Sequence, residues 1–205
     1  MSKSNDRQRG KDKYMLEVEI KVKIRSIVDM ENKLQNFGYT RSEHLLETDV
    51  YVDTPSDDIR TSGKACRVRT IKDLDCGKSC SYLTFKGEKT DTVSMTRAEY
   101  ETQIASSETG LAILRELGFL PVKPSAVKER ILYTKGKINA CLDRVKGLGD
   151  YMELEIICEA DEKDSALDEL WSELSSLGYS KDDVINTSYL SLLQGRKDLD
   201  ESLSF

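Results

Sequence analysis

The feature that most constrains this chain is a segment near its amino terminus, residues 16–24, with the sequence LEVEIKVKI. Apolar and charged residues alternate through it without a break, and most of the apolar ones are β-branched. A period of two with β-branched side chains predicts a β-strand with one apolar and one charged face. One strand cannot show whether its charged face meets water or lines an interior, so the other strands must decide.

Composition excludes several classes of protein. The 205 residues suffice for one domain with a sizeable core, and the net charge of −6 argues against general nucleic-acid binding, which leaves a basic footprint. No apolar run is long enough to span a membrane, and residues 1–13 lack the apolar segment of a signal peptide. The five cysteines have no zinc-type spacing, so we expect free thiols and a cytoplasmic location.

Seven further segments have strand-like patterns. They are residues 47–53, 65–70, 81–86, 97–102, 127–133, 137–143 and 151–157. Short connections between most of them predict antiparallel pairing. We therefore predict an α+β fold with eight antiparallel strands.

Three helices are predicted to interrupt the strands, and a short fourth is expected near residues 187–193. The three begin near Ser26, Ser107 and Ser165, and each ends in glycine followed by an aromatic residue, a common helix ending. We expect a single domain over residues 15–195, a disordered amino-terminal extension over residues 1–14, and a polar tail over residues 196–205.

Most of the predicted strands carry two charged residues, at i and i+2, opposite an apolar face. The downstream pairs are Arg67 and Arg69, Glu99 and Glu101, Lys128 and Arg130, and Glu153 and Glu155. An open sheet would expose this charged face to water, whereas a closed barrel with helices on its apolar outside would enclose it. Enclosing charges costs free energy unless they are paired with opposite charges and hydrated, so such a lumen would serve to bind an ionic ligand. The pattern alone leaves both alternatives open.

In an enclosed lumen, these charges would suit a polyanion together with a metal cation. Six basic residues match a triphosphate, whose oxygens guanidinium groups take in pairs: Lys21, Arg67, Arg69, Lys86, Lys128 and Arg130. Five acidic residues offer hard oxygen ligands for Mg²⁺ or Mn²⁺: Glu17, Glu19, Asp143, Glu153 and Glu155. Carboxylates at i and i+2 of a strand lie about 6–7 Å apart, so two strands must converge on one ion.

An ordered set of motifs resembles a known family. Glu17-Val18-Glu19-Ile20-Lys21 looks like the ExExK signature, and it is followed by Arg67-Val68-Arg69, Leu83-Thr84-Phe85-Lys86-Gly87, Arg97-Ala98-Glu99-Tyr100-Glu101, Lys128-Glu129-Arg130, Leu142-Asp143 and Glu153-Leu154-Glu155. This set resembles the CYTH domain, also called the triphosphate tunnel metalloenzyme superfamily, over about residues 15–194. The resemblance implies an eight-stranded antiparallel β-barrel, the triphosphate tunnel, with helices packed outside.

The resemblance also assigns roles, residue by residue. Catalytic roles fall to Lys21, Arg67, Arg69 and Lys86. The triphosphate would be bound by Lys21, Arg67, Arg69, Lys86, Lys128 and Arg130. The metal would be held by Glu17, Glu19, Asp143, Glu153 and Glu155. Glu99 and Glu101 would orient the arginines, and Lys23 would be a charge at the rim.

Two segments, residues 47–55 and 143–150, look most like the class IV adenylyl cyclase group, archaeal members included. That likeness implies conversion of ATP to cyclic AMP and pyrophosphate with Mg²⁺ or Mn²⁺. Inorganic tripolyphosphatases and thiamine triphosphatases share the tunnel, so hydrolysis is one alternative, and binding of nucleotide or polyphosphate without turnover is another. The expected partners are small-molecule triphosphates, with no nucleic acid and no membrane.

The last long helix has a stripe of leucines, Leu167, Leu170, Leu174 and Leu177, beside Trp171. Helical spacing of this kind is typical of a core-facing stripe. A partner interface is the alternative. A homodimer is a separate expectation.

Overall fold

The computed structural model describes residues 15–90 and 92–196. The predicted extension over residues 1–14, and all of the predicted tail except Arg196, lie outside the described residues. The strands form a closed antiparallel barrel in the order β1-β5-β4-β3-β2-β6-β7-β8. The predicted eight-stranded barrel is therefore confirmed.

The strands are bounded as follows: β1 Met15–Lys23, β2 Thr40–Asp53, β3 Ala65–Asp73, β4 Ser79–Lys86, β5 Arg97–Ile104, β6 Leu120–Lys135, β7 Ile138–Val145 and β8 Gly149–Glu159. The helices are α1 Ile27–Asn36, α2 Asp58–Thr61, α3 Ser107–Glu116, α4 Lys163–Ser176 and α5 Tyr189–Gln194, with 3₁₀ turns at Ala160–Glu162 and Lys181–Asp183. Strands β2 and β6 begin seven residues earlier than the alternation predicted, because the two strands pair with each other along nearly their whole length.

The three predicted helix ends are confirmed. Gly38, Gly118 and Gly178 follow α1, α3 and α4 with φ angles of 84°, 92° and 80°, a left-handed conformation that glycine adopts without strain. At the other end of α1, the Ser26 side chain accepts a hydrogen bond from the backbone N–H of Asp29. Helix α4 begins at Lys163, slightly before the predicted Ser165, and α2 was not predicted.

The main core lies outside the barrel wall, between the strands and helices α1 and α4. The apolar residues of β1, such as Val18 and Ile20, are buried there against Leu34 of α1 and Leu170 and Leu174 of α4. Leu170, Leu174 and Leu177 of the stripe are thus core, as predicted, whereas Leu167 and Trp171 are partly buried against the same cluster. Dimerisation stays a prediction with no surface assigned to it.

The barrel is closed unevenly. Strand β1 pairs with β8 over nine register positions but with β5 over only two, Leu16 with Ala98 and Glu17 with Arg97. Beyond that short ladder, the backbone N–H of Met95 donates to the carbonyl of Glu19 at 3.0 Å. Helix α5 packs across one end of the barrel, where Tyr189 and Leu193 contact a cluster that includes Val145 and Tyr151.

Within the described ranges, 15–90 and 92–196, none of the helices combines the length and the apolar character needed to cross a membrane.

Candidate functional site

The charged face of β1 lies inside the barrel, as do the matching faces of the other strands. Ten of the eleven residues assigned to a site from the sequence line one cavity of about 320 Å³. The eleventh, Asp143, is fully buried beside it and is hydrogen-bonded to Lys128 and Arg130. Alternation therefore grouped the assigned residues on one face of the sheet, and closure of the barrel turns that face inward.

Each of the six assigned cations contacts two carboxylates. Lys21 contacts Glu19 and Glu153, Arg67 contacts Asp49 and Glu99, Arg69 contacts Glu47 and Asp49, Lys86 contacts Glu17 and Glu99, Lys128 contacts Glu47 and Asp143, and Arg130 contacts Asp143 and Glu153. These contacts form one alternating series, the ion-pair chain, which runs from Glu17 through all eight strands to Glu19. Such pairing offsets the cost of burying the charges.

Two members of the ion-pair chain, Glu47 and Asp49 of β2, were not assigned from the sequence. Asp49 accepts two hydrogen bonds from Arg69, from Nε at 2.6 Å and from Nη2 at 2.8 Å, a bidentate geometry. Glu47 lies 3.0 Å from Nη1 of Arg69 and 3.3 Å from Nζ of Lys128. Their i, i+2 spacing carried the same signal as the assigned pairs, but the segment was interpreted only as a strand.

The electrostatics of this part of the lumen keep both β2 carboxylates ionised. Burial raises the pKa of Glu47, but the positive charges of Arg69 and Lys128 have the larger, opposite effect and lower it to about 2. Burial likewise raises the pKa of Asp49, and Arg67 and Arg69 outweigh it, so the pKa falls below its usual range. The two carboxylates therefore act as fixed counter-ions of the basic wall.

Asp143 and Glu153, two of the five predicted metal ligands, are engaged by cations. Nε and Nη2 of Arg130 each lie 2.6 Å from an oxygen of Asp143, and Nη2 also contacts Glu153. Glu153 lies 3.0 Å from Nζ of Lys21 as well. Burial raises the pKa of Glu153, but Lys21 and Lys128 hold it well below its usual value. In this structure, both carboxylates orient basic side chains.

The other three predicted metal ligands, Glu17, Glu19 and Glu155, form a cluster on β1 and β8, with Glu19 directly opposite Glu155 in the ladder. Burial, followed by repulsion from Glu17, raises the pKa of Glu155 to about 7. Burial and repulsion from Glu153 raise the pKa of Glu19. Oε1 of Glu19 has no hydrogen-bond partner, although Nζ of Lys21 lies 3.4 Å away.

These three carboxylates fit a divalent cation. Their mutual repulsion and the unsatisfied oxygen of Glu19 are what a bound cation would offset. Among residues 15–90 and 92–196, no three potential ligands are already arranged around a common point. Small hard cations are commonly held by one or two carboxylates together with water and phosphate oxygens, so such an arrangement is not required.

Helix α5 adds an aromatic side chain that the sequence did not reveal as part of the site. The hydroxyl of Tyr189 donates to Oδ2 of Asp143 at 2.9 Å. Its ring centroid lies 4.4 Å from Nζ of Lys21 and 5.3 Å from Nζ of Lys128, within cation–π range. Because α5 is separated in sequence from the strands that it contacts, no local pattern could have located this tyrosine.

For the other residues interpreted from the sequence, the structure agrees with some interpretations and disagrees with others. Glu99 contacts Lys86 at 2.7 Å and Arg67 at 3.9 Å, consistent with an orienting role. Among the residues that the structure describes, Glu101 contacts no arginine and instead accepts a hydrogen bond from Thr84 at 2.8 Å, so the orienting role predicted for it is wrong. Lys23 is exposed at the strand end, over the ring of Tyr151. His44 of β2 is partly buried and contacts Glu129 at 2.7 Å.

Comparison with known proteins decides the family. Residues 15–189 match the CYTH domain. This chain belongs to the CYTH family. Membership confirms the predicted relationship, places the chain among enzymes that act on triphosphates, and implies dependence on a divalent metal.

Two named CYTH relatives are similar over most of their length. A Methanocaldococcus jannaschii protein named "Putative adenylate cyclase" is 38% identical over 179 residues, which cover 87% of this chain and 98% of the relative. "Adenylate cyclase CyaB" of Aeromonas hydrophila is 28% identical over 153 residues, 72% of each chain.

Two solved structures share the barrel. The PH1819 protein from Pyrococcus horikoshii superposes with a TM-score of 0.78 at 30% identity, covering 88% of this chain and 99% of that one. A Hippeastrum protein described as a "putative adenylyl cyclase" with a dominant triphosphatase activity superposes with a TM-score of 0.60, covering 87% of this chain and 95% of that one. Its identity is 17%, so this second likeness shows the fold alone.

Proposed function

We propose that this protein is a class IV adenylyl cyclase that uses Mg²⁺ or Mn²⁺ to convert ATP into cyclic AMP and pyrophosphate. The observation that carries the proposal is the convergence of six paired cations and three mutually repelling carboxylates in one lumen. The names of the Methanocaldococcus and Aeromonas relatives favour cyclisation over other reactions of triphosphates.

The basic side chains bind the triphosphate by exchanging partners. Each of the six cations gives up a carboxylate contact and takes a phosphate oxygen in its place, with the arginine forks taking two oxygens at once. The carboxylates remain nearby and keep the cations oriented, so little reorganisation accompanies the reaction. Lys21, Arg67, Arg69 and Lys86 are the four that we place closest to the developing charge.

In the reaction, the 3′-hydroxyl group of ATP loses its proton to water, and its oxygen forms a bond to the α-phosphorus. The bond from that phosphorus to the oxygen bridging to the β-phosphorus breaks, and pyrophosphate leaves. Negative charge therefore grows on the leaving group, where Arg67, Arg69 and Lys86 stabilise it electrostatically. Glu17, Glu19 and Glu155 would hold the divalent ion, which supplies Lewis-acid neutralisation of phosphate charge when bound.

Hydrolysis of tripolyphosphate or thiamine triphosphate is the second candidate. The same cations would hold any triphosphate chain, because they recognise phosphate oxygens and no base. The activity named for the Hippeastrum protein, which shares only the fold, shows that a protein of this architecture has been described as a triphosphatase. Binding without turnover is the third candidate, and the cluster of Glu17, Glu19 and Glu155 argues against it, since anion binding alone does not require these carboxylates.

Product identification separates the three candidates. Purified protein is incubated with ATP, tripolyphosphate or thiamine triphosphate, with Mg²⁺ or Mn²⁺, and the products are quantified by ion-exchange chromatography and phosphorus NMR. Equal amounts of cyclic AMP and pyrophosphate support the cyclase. Orthophosphate without cyclic AMP identifies a hydrolase, and measured binding without any product identifies a sensor.

We also propose a cytoplasmic location. All five cysteines are free thiols, two of them, Cys76 and Cys80, only four residues apart in the β3–β4 hairpin. Free thiols are usual in a reducing compartment. Fractionation of the native host cells tests this, and recovery with the membrane pellet would contradict it.

A further inference from the structure

Arg97, the first residue of β5, is a buried cation outside the ion-pair chain. Its exposed fraction is 8%, and its side chain lines the same cavity as the six assigned cations. Within the described part of the chain, Nε of Arg97 has no hydrogen-bond partner. Across residues 15–90 and 92–196, none of the recorded ion pairs involves Arg97, whereas each of the six assigned cations has two.

The carboxylates closest to Arg97 in the sheet are committed elsewhere. Glu17, directly opposite Arg97 in the β1–β5 ladder, contacts Lys86. Glu99, two residues along the same face of β5, contacts both Lys86 and Arg67. A buried guanidinium is always charged, and burial without a counter-ion is costly, so proteins rarely keep one unless a ligand supplies the anion.

We propose that Arg97 is a seventh phosphate-binding residue, whose counter-ion is an anionic oxygen of the substrate's phosphate chain. The proposal rests on the triphosphate binding argued above and names one more residue of that site. Arg97 should also contribute more to the affinity for the phosphate chain than each of the six paired cations does. The six paired cations must each release a carboxylate contact to take a phosphate oxygen, whereas Arg97 releases none, so more of its attraction appears as affinity.

The buried charge of Arg97 also affects the stability of the folded protein. Without ligand, the uncompensated charge of Arg97 destabilises the folded protein relative to an apolar side chain of similar length. Replacement of Arg97 by methionine should therefore raise the melting temperature of the ligand-free protein while weakening its affinity for phosphate chains. A residue with a purely structural role would lose stability on the same replacement.

The experiment compares the wild type with Arg97→Met, Arg97→Lys and a control, Arg144→Met. Arg144 lies on the outer face of β7, and 56% of its side chain is exposed. Inorganic tripolyphosphate is the probe. Its Kd is measured by isothermal titration calorimetry in EDTA, which prevents turnover, and again with Mg²⁺. Melting temperatures are measured without ligand by scanning calorimetry.

We expect Arg97→Met to weaken tripolyphosphate binding by about tenfold or more, the size expected for the loss of a charge-assisted hydrogen bond. Arg97→Lys should lose less, because it keeps the charge but not the fork, and Arg144→Met should bind like the wild type. Unchanged affinity in Arg97→Met, or a fall in melting temperature together with weaker binding, would overturn the proposal. Failure of the wild type to bind tripolyphosphate under either condition is a different result, which overturns the proposed function and this proposal with it.

Discussion

Asp49 shows what a single residue contributes inside and outside the lumen, because the chain contains a matched pair on its surface. Asp49 binds Arg69 through two hydrogen bonds in the interior, and Asp150 binds Arg144 through two hydrogen bonds, at 3.0 and 3.3 Å, on the exterior. The two pairs have similar geometry and differ in burial. Comparing them therefore contrasts a buried aspartate that contacts two arginines with a pair whose arginine is 56% exposed.

The first prediction uses this pair. Asp49→Ala should lower the free energy of unfolding by about 3–5 kcal/mol, because it leaves Arg69 and Arg67 short of a counter-ion in a buried site. Asp150→Ala should lower it by about 1 kcal/mol or less, since exposed pairs contribute little. Urea unfolding at neutral pH measures both values. Equal losses in the two variants would show that the lumen is wet enough to screen its ion pairs.

The second prediction concerns Glu153 and Glu155, which lie two residues apart on the same face of β8. At pH 8 without metal, Glu155→Gln should stabilise the protein, because it removes one of the mutually repelling charges. Glu153→Gln should destabilise it, since Lys21 and Arg130 then lose a partner. Thermal unfolding measures both shifts, and shifts of the same sign would contradict the division of the acidic residues into two groups.

The same two variants separate roles in metal binding. Glu155→Gln should weaken Mn²⁺ binding, which electron paramagnetic resonance of the free ion measures. Glu153→Gln should change it less, because its oxygens are held by cations in this structure. A larger loss of Mn²⁺ binding in Glu153→Gln would show that Glu153 is a metal ligand, as the family resemblance implies.

At the scale of the element, the two faces of β1 have different roles. Ile20 points outward into the core beneath α1 and α4 and is 1% exposed, while its neighbour Lys21 points into the lumen. The outer face stabilises the wall, and the inner face is available for chemistry. This separation makes stability and activity independently alterable on one strand.

The third prediction tests that separation. Ile20→Ala should lower the free energy of unfolding by about 2–5 kcal/mol through the cavity that it leaves, with kcat and KM of the folded protein nearly unchanged. Ile113→Ala serves as the control, because Ile113 is 56% exposed on α3 and its truncation should stay within about 0.5 kcal/mol. A large loss of kcat in folded Ile20→Ala would show that the two faces are coupled.

Helix α5 supplies the fourth prediction. Tyr189 is 7% exposed and is held by Asp143, two lysines and the edge of Tyr151. Tyr189→Ala should release α5, so its amides should exchange hydrogen faster while those of the strands stay protected. Tyr189→Phe keeps the ring contacts and should retain most of the protection. Uniform loss of protection throughout the barrel would show instead that α5 is required for the fold.

The sequence predicted more about elements than about their neighbours. Alternation located all eight strands, and glycine located the ends of α1, α3 and α4, because both signals act within a few residues. The ends of β2 and β6 were missed, since their extra residues are stabilised by pairing with each other and not by a local pattern. The contacts of Tyr189 were missed for the same physical reason.

At the scale of the molecule, barrel closure depends on pairs that are distant in sequence. Hairpins such as β3–β4 and β6–β7 follow from the turns, but the β1–β8, β1–β5 and β2–β6 pairs do not. The charge pattern was compatible with an open sheet as well, and the family resemblance favoured the barrel. The inward direction of the assigned residues was predictable, whereas the partners within the ion-pair chain required the strand order.

The fifth prediction concerns removal of the metal. Chelation by EDTA should abolish turnover, because without the metal the negative charge of the substrate is incompletely neutralised. Addition of Mg²⁺ or Mn²⁺ should restore turnover. The barrel itself should stay folded, since the apolar clusters and the ion-pair chain do not include the metal. Circular dichroism in EDTA checks the fold in parallel. Full activity after exhaustive chelation would contradict the proposed metal dependence.

The ion-pair chain gives the lumen the properties of an ion exchanger whose counter-ions are tethered. A free anion such as chloride can displace one carboxylate at a time and cannot bridge to the next cation, so the tethered group returns at once. A chain of linked phosphates displaces several neighbouring carboxylates together. Because the phosphate groups are covalently joined, each displaced carboxylate competes with a phosphate group that is itself held in place. We therefore expect the lumen to bind anions whose charges are covalently linked in preference to simple anions.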